Sequence, residues 1–465
     1  VLLYICSVFI LGGMTSCEDF LDKREDVGLT EDDIFRDYYS LRGFLDQSFN
    51  QLENVMVMDN WENGRAFVGL FADEMATTDN SSAVFTLHSG NWLSNAKSNK
   101  TFEIGNAGST AISRSYKALR INNRIINDID KAPLTPEQKN EILGQAYFYR
   151  SWFYFQIIKR YGGMPIIDKV FEGGDDDIPR MTYHESHDWM MEDIQKAIYM
   201  LPDSWDDPNY GRPTKIAAMA LKEWAQLFDA SPLMQNDLNS TENKGYDTER
   251  AKSAAKSAYE VIRYMDGSKS APYPYGLASK EEYTNVFYFK YPPVHQPEYI
   301  WVKRQFPNAA NQNQKRTIRT FWQYEDLAFG SGPDGNSMCC PSLNIVNMFD
   351  KKGADGIYYP IDDPRSGYAL DYDHKPFEDR DPRFYNNILL PGTTWGHYAD
   401  GRTYYITTYK GGAAYQHMLT QKDCNKRMFT GFMCKKFMWP ECNQYLEKNN
   451  PNCWWDYRFL TIYIR

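Results

Sequence analysis

The segment LTPEQKNEILGQAYFYRSWFYFQIIKRYGGMP, residues 134–165, decides the fold, because it predicts a long helix with clear start and stop signals. Thr135 can cap the N-terminus, Pro136 suits the first helical position, and Gln138 completes a capping box. Turn-forming residues end the helix: Gly162, Gly163 and Pro165. We therefore expect one uninterrupted helix between these two signals.

Aromatic side chains surround this helix on nearly every side: Tyr147, Phe148, Tyr149, Trp152, Phe153, Tyr154 and Phe155. A helix that is apolar all round packs between neighbours, since a surface helix keeps a polar face. An aromatic ligand box is the alternative, but such residues fill cores more often. The pattern favours a buried, central helix.

Five further segments show helical periodicity and predict a helical half over about residues 30–265. Their starts lie near Thr30, Ser109, Thr182, Thr214 and Thr248. Alanines such as Ala217 and Ala218 allow close helix approach, as in tetratricopeptide hairpins, although no 34-residue period can be traced. The fold class is therefore mainly α, with a tetratricopeptide-like helix-turn-helix half.

From about residue 266 to 465, Pro, Gly, Asn and Tyr dominate and helical periodicity weakens, as in APYPYG at 271–276. Short strands such as EYIWVKRQF, residues 298–306, interrupt long loops. This half should be irregular, with short helices and few strands. Loops of this length often carry function. We treat 30–465 as a single domain made of the two halves.

The N-terminus has the features of a lipoprotein export signal. The apolar run 2–13 is too short to span a bilayer but suits a signal peptide, predicted over residues 1–16. Cys17 then becomes a candidate lipid anchor, with a buried free cysteine as the alternative. Residues 17–29 are rich in acids and predict a solvated tether.

Composition excludes one class of partner. The formal net charge is −10, and phosphate backbones require a basic face, so no nucleic acid is expected. Aromatic residues make up 15% of the chain, including 34 Tyr and 12 Trp. Because Tyr and Trp combine an apolar face with a polar edge, this content suits hydrated binding surfaces as well as a core.

Six cysteines lie beyond the predicted signal and anchor: Cys339, Cys340, Cys424, Cys434, Cys442 and Cys453. None belongs to a CxxC pair, so a zinc site is not expected. An exported protein can form disulfides, and the concentration of cysteines near the C-terminus suggests a local staple. Their connectivity stays open.

No catalytic or cofactor motif is convincing. HExxH, GxSxG and P-loop patterns are missing from the sequence, and the GxGxxG at Gly330 contains Pro333 and Asp334 and lacks a strand–turn–helix context. His184 and His187 suggest a solvated first turn, and the acids around Asp73 suggest a structural cluster. The acidic run 175–177 could attract calcium but lacks regular ligand spacing. We expect no enzyme and no cofactor, with a structural calcium left open.

The order of segments, including SCEDFLD at 16–22, the helix at 134–165, LNIVNMFD at 343–350 and PFEDRDPRFYNNILLPG at 376–392, resembles the SusD/RagB family of Bacteroidetes outer-membrane lipoproteins. The resemblance covers nearly the whole chain. It implies a SusD-like fold, surface exposure at the outer membrane and a SusC-like TonB-dependent transporter as partner. The family pattern continues beyond an arginine like Arg465 into a further helix, so we expect a C-terminal truncation.

The resemblance also implies a sugar platform drawn from one early and one late loop. Trp92 lies alone in a polar segment, with Asn91 and Asn95 beside it. Candidates in the late half are Arg319, Trp322 and Tyr324. A pyranose ring stacks on such rings while amides and guanidinium groups bind its hydroxyls, although each Trp could instead be core. The expected function is capture of oligosaccharides for the transporter. A peptide-capturing lid of the same architecture and, less favoured, a lipoprotein glycoside hydrolase are the alternatives.

Overall fold

The structure is a computed structural model. It describes residues 30–52, 72–76, 111–171, 177–235, 245–270, 274–283, 286, 296–304, 340–368, 375–397, 403–412, 415, 430–436 and 460–464. The predicted signal, Cys17 and the acidic tether lie outside these residues.

Nine α-helices lie in the described part of the chain. They are α1 Glu31–Phe35, α2 Tyr38–Asn50, α3 Ala111–Asp128, α4 Pro136–Tyr161, α5 Tyr183–Met200, α6 Lys215–Asp229, α7 Thr248–Gly267, α8 Leu343–Asn347 and α9 Pro382–Asn387. Short 3₁₀ turns occur at Ile129–Lys131, Asp207–Asn209, Pro232–Met234, Ser268–Ser270 and Pro364–Ser366. Among the helices described, none combines the length and apolar character required to cross a bilayer.

Local capping signals set the helix starts. Thr135 and Gln138 form the predicted capping box of α4, and Thr182 forms another at the start of α5. The prediction of one continuous helix from Thr30 was wrong, because this segment forms two helices, α1 and α2. The chain breaks after Phe35 and restarts at Tyr38, because Asp37 adopts an extended conformation and accepts a hydrogen bond from the Ser40 amide.

Consecutive helices from α2 to α7 pack against one another, and α4 also contacts α2 and α6. This arrangement buries sixteen residues of α4, which confirms the prediction of a central aromatic helix. The mainly helical architecture, with packed helix pairs and few short strands, is confirmed as well.

Strands in the described residues form five two-stranded antiparallel sheets. The strands are β1 Met75–Ala76, β2 Trp301–Arg304, β3 Cys340–Pro341, β4 Lys351–Lys352, β5 Tyr358–Tyr359, β6 Ile388–Leu389, β7 Thr394–His397, β8 Thr403–Tyr405, β9 Met433–Cys434 and β10 Leu460–Ile464. The pairs are β1 with β3, β2 with β10, β4 with β5, β6 with β9 and β7 with β8. The strand predicted in residues 298–306 corresponds to β2.

Trp301, at the start of β2, packs into the helical core. Its ring centroid lies 4.8 Å from that of Phe148 and 4.9 Å from that of Trp152, both in edge-to-face geometry. The Trp301 side chain is buried, and its indole nitrogen donates a hydrogen bond to the Gly211 carbonyl at 3.1 Å. One residue thus joins α4, the turn before α6 and the first strand of the later half.

A second, smaller core lies in the later half around Val346 and Phe384. The buried Arg380 guanidinium donates hydrogen bonds to the Val346 and Phe349 carbonyls at 2.7 and 2.6 Å and lies over the Phe384 ring. Nearby, Cys434 is a buried free cysteine, and the Cys340 side chain is buried as well. The predicted C-terminal disulfide staple therefore does not include Cys434, and the other four cysteines lie outside the described residues.

The Arg150–Asp193 pair predicts a large stability effect. Both side chains are buried, Arg150 Nη2 donates to Asp193 Oδ1 at 2.8 Å, and Arg150 Nη1 donates to Asn123. Arg150→Met would leave the Asp193 charge buried, so we expect a loss of about 3–5 kcal/mol in the free energy of unfolding, measured by urea denaturation. Lys252→Met, which breaks an exposed pair with Glu249, is the control and should change little. An equal effect of both variants would contradict this account.

The burial of Lys303 predicts that the free energy of unfolding depends on pH. Burial, with the nearby Arg114 charge, lowers the pKa of Lys303 to about 8, and its ammonium donates to the Leu52 carbonyl at 3.2 Å. The unfolded chain holds the proton up to about pH 10.4. The unfolded state therefore binds more protons between these values, and stability rises with pH through this window.

Lys303→Met should accordingly be more stable than the parent protein at pH 7, by about 1–3 kcal/mol. The advantage should shrink as the pH rises from about 8 towards 10, measured by urea denaturation at each pH. A difference that stays constant with pH would show that the Lys303 charge is not its source.

Candidate functional site

The residues proposed from sequence as the sugar platform lie outside the described residues. They are Asn91, Trp92, Asn95, Arg319, Trp322 and Tyr324, and the anchor Cys17 lies outside as well. Their roles stay predictions. The described residues form a different candidate site, which sequence reasoning did not identify.

A cleft of about 650 Å³ opens between the α5–α6 connection, the C-terminal end of α7 and residues 296–302. Its volume lies within the range of about 300–1,000 Å³ that is usual for small-molecule sites. Aromatic residues from these three segments and from residues 274–275 line it: Trp205, Tyr210, Tyr264, Tyr275, Tyr299 and Trp301. The cleft therefore offers ring surfaces at the junction of the two halves.

The base of the cleft is rigid. Trp301 and Tyr299 are buried there, and the Tyr299 hydroxyl donates to the Val286 carbonyl at 2.7 Å. Gly211 has φ +100, a conformation that side chains with a Cβ rarely adopt, and its carbonyl accepts the Trp301 indole hydrogen. The turn can approach β2 closely because this residue is glycine.

Three rings are only half-buried and face the cleft from its sides: Trp205, Tyr264 and Tyr275. The Trp205 indole nitrogen donates to the Pro213 carbonyl at 2.9 Å, which fixes the ring in the α5–α6 connection. The Tyr275 amide donates to the Ser268 hydroxyl at 3.1 Å. These contacts hold the aromatic walls in place.

Asp203 connects two walls of the cleft. Its Oδ1 accepts a hydrogen bond from the Tyr264 hydroxyl at 2.7 Å and lies 3.0 Å from Lys215 Nζ. The Tyr264 hydrogen bond, followed by Lys215, lowers the pKa of Asp203 below its ordinary value. Burial and the same hydrogen bond raise the pKa of Tyr264. At neutral pH the tyrosine is therefore the donor and the aspartate the charged acceptor.

Arg212 is also fully engaged by protein groups. Its two terminal nitrogens contact the two Asp46 carboxylate oxygens at 2.7 and 2.8 Å. Nη1 also donates to Gln145 Oε1, and Nε donates to Asn209 Oδ1. Since Asp46 lies in α2 and Gln145 in α4, this arginine fixes the cleft wall to the helical core.

The sequence suggested that His184 and His187 lie in a solvated first turn, and the structure shows otherwise. His187 is buried, and both imidazoles lie near the buried Asp229 carboxylate, with Nδ1–Oδ distances of 2.8 Å for His184 and 3.6 Å for His187. Arg250 also pairs with Asp229. The cluster joins α5, α6 and α7. Within the described ranges, no group of three His, Cys, Asp or Glu side chains is arranged to bind a metal ion.

The Asp73 carboxylate and the Glu74 backbone both contact residues at the start of α8, which agrees with a structural role for Asp73. Asn344 Nδ2 donates to Asp73 Oδ2 at 3.1 Å, and the Ser342 amide donates to the Glu74 carbonyl at 3.0 Å. These contacts connect β1 to the start of α8. Asp79, the third acid of the cluster, lies outside the described residues.

Two family matches cover most of the chain. Residues 19–223 match the family SusD-like_3, described as "Starch-binding associating with outer membrane", and residues 297–463 match SusD_RagB, described as the SusD family. The chain belongs to the SusD/RagB family. This is a family of carbohydrate-binding proteins without catalytic activity, which agrees with the expectation of no enzyme. No protein of curated function matches the sequence.

Solved structures share the fold. A SusD-like protein from Bacteroides fragilis has 18% identity and a TM-score of 0.64, over 89% of this chain and 70% of that one. A SusD-like carbohydrate-binding protein from the same species has 16% identity and a TM-score of 0.55, over 88% and 69%. A protein solved with a xylogluco-oligosaccharide has 15% identity and a TM-score of 0.54, over 90% and 68%.

The turn at Gly211 predicts a specific defect. A Cβ there would lie 3.1 Å from the Val302 carbonyl oxygen, in addition to the positive φ. Gly211→Ala should therefore lower the free energy of unfolding by roughly 1–3 kcal/mol. Gly276→Ala, near the same cleft but with open space around its Cβ, is the matched control and should be neutral. Urea denaturation checks both, and equal stability of the two variants would contradict the assigned role of Gly211.

Proposed function

We propose that this protein captures oligosaccharides at the cell surface and delivers them to a SusC-like TonB-dependent transporter in the outer membrane. The observation that carries the proposal is the pair of family matches, which occur in order along the chain and include a starch-binding, outer-membrane description. The structural relative solved with a xylogluco-oligosaccharide supports a glycan as the ligand.

The proposal also assigns roles to the predicted lipid anchor and to the predicted sugar platform. Cys17, once lipidated, would tether the protein to the membrane, and the acidic segment 17–29 would hold the body away from the lipid. Trp92 and Trp322 would stack on sugar rings. The neighbouring Asn91, Asn95, Arg319 and Tyr324 would bind hydroxyl groups.

A peptide-capturing lid is the second candidate. The loop-rich composition of the later half favours it, because irregular backbone offers amide and carbonyl groups to an extended chain. A peptide ligand would depend on backbone hydrogen bonds and side-chain pockets more than on flat ring faces. Substitution of Trp92 and Trp322 therefore distinguishes the two candidates.

The test is binding of a soluble form that begins after Cys17 to an array of polysaccharides and to a peptide library. We expect glycan binding that Trp92→Ala or Trp322→Ala weakens by about tenfold or more, because stacking on an aromatic ring is lost. Tyr199→Ala, which removes a highly exposed ring on α5, is the control and should bind like the parent. Peptide binding without glycan binding would replace the proposal with the second candidate.

A further inference from the structure

We propose that the cleft at the α5–α6 connection is a saccharide site formed by residues other than the predicted platform residues Trp92 and Trp322, and that it takes a short neutral oligosaccharide. The inference rests on the proposed function, since it assumes a glycan-binding protein. It adds a site of defined chemistry that is formed by other residues than those predicted for the platform.

Available ring surface is the first reason. Core rings such as Trp152 and Trp301 lie against several other rings, which occupy their faces. In the part of the chain that the structure describes, Trp205, Tyr264 and Tyr275 form no ring pair or cation–π contact and are only half-buried. Apolar ring faces beside polar edges are the surface on which a pyranose C–H face stacks.

Charge is the second reason. Among the described residues that line the cleft, the charged ones are Asp203 and Arg212. Arg212 is held by Asp46 in a bidentate pair, and Asp203 is paired with Lys215. An anionic sugar would have to break one of these pairs to gain a cation, and it would meet the Asp203 carboxylate. A neutral ligand avoids both costs.

Hydroxyl recognition is the third reason. Asp203 is exposed and keeps a second carboxylate oxygen, because Tyr264 and Lys215 both contact Oδ1. Ser204 and Gln296 bring a hydroxyl and an amide to the same cleft. Acceptors and donors of this kind at the edges of stacking rings match the alternating hydroxyls of a sugar. The cavity volume suits a short oligosaccharide rather than a single small solute.

The experiment uses the full lipidated chain in detergent micelles and isothermal titration calorimetry. The ligands are a xylogluco-oligosaccharide, a malto-oligosaccharide and an oligogalacturonide of equal length. The background is the Trp92→Ala/Trp322→Ala double variant, which lacks the two rings predicted to form the platform. We expect the neutral ligands to retain binding in this background and the acidic one to bind at least tenfold more weakly.

Two variants in this background test the location. Trp205→Ala removes a wall, and Ser204→Trp fills the opening from an exposed position without deleting a packed side chain. Both should weaken binding of the neutral ligands about tenfold or more. Tyr259→Ala, an exposed ring on α7 that does not line the cleft, is the matched control and should change nothing.

The outcomes separate the two proposals. If the double variant binds a neutral ligand and the addition of Ser204→Trp leaves that binding unchanged, the cleft inference is wrong while the proposed function stands. Complete loss of neutral-ligand binding in the double variant would also show that the cleft inference is wrong while the proposed function stands. If the oligogalacturonide binds as tightly as the neutral ligands, the assigned selectivity is wrong. If no saccharide binds the parent protein, both the proposed function and the cleft inference are wrong.

Discussion

The insertion of Trp301 between Phe148 and Trp152 is the contact on which the architecture depends. A buried indole needs a partner for its N–H, and the Gly211 carbonyl supplies it. That requirement brings the turn before α6 against β2, and glycine permits the approach. The same ring that completes the helical core thus forms the base of the cleft, so the packing and the candidate site share one constraint.

Arginine side chains complement this contact in both halves of the molecule. Arg380 donates to carbonyls of the loop around Phe349, which leaves fewer backbone groups without partners in a region of two-residue strands. Arg150 and Arg212 instead join helices through carboxylates. The five donors of a guanidinium group allow one arginine to bind several acceptors at once.

The sequence predicted the helical half well because its signals are local. Thr135 with Gln138 and Thr182 with Glu185 specify helix starts through residues three apart. The cleft could not be predicted in this way, since Trp205 and Tyr275 come together only through the packing of α6 and α7. The burial of His187 was missed for the same reason, because Asp229 lies on another helix. Trp92 and Trp322 remain sequence-based predictions.

The pairing of β2 with β10 has a consequence for the order in which the chain folds. The helices from α2 to α7 contact their neighbours in sequence, so they can assemble while the chain is still incomplete. Arg304 pairs with Leu460, so β2 stays an open strand edge until the last described segment arrives. An open edge invites pairing with other chains. The interval before β10 docks is therefore the period in which β2 is most exposed to pairing with other chains.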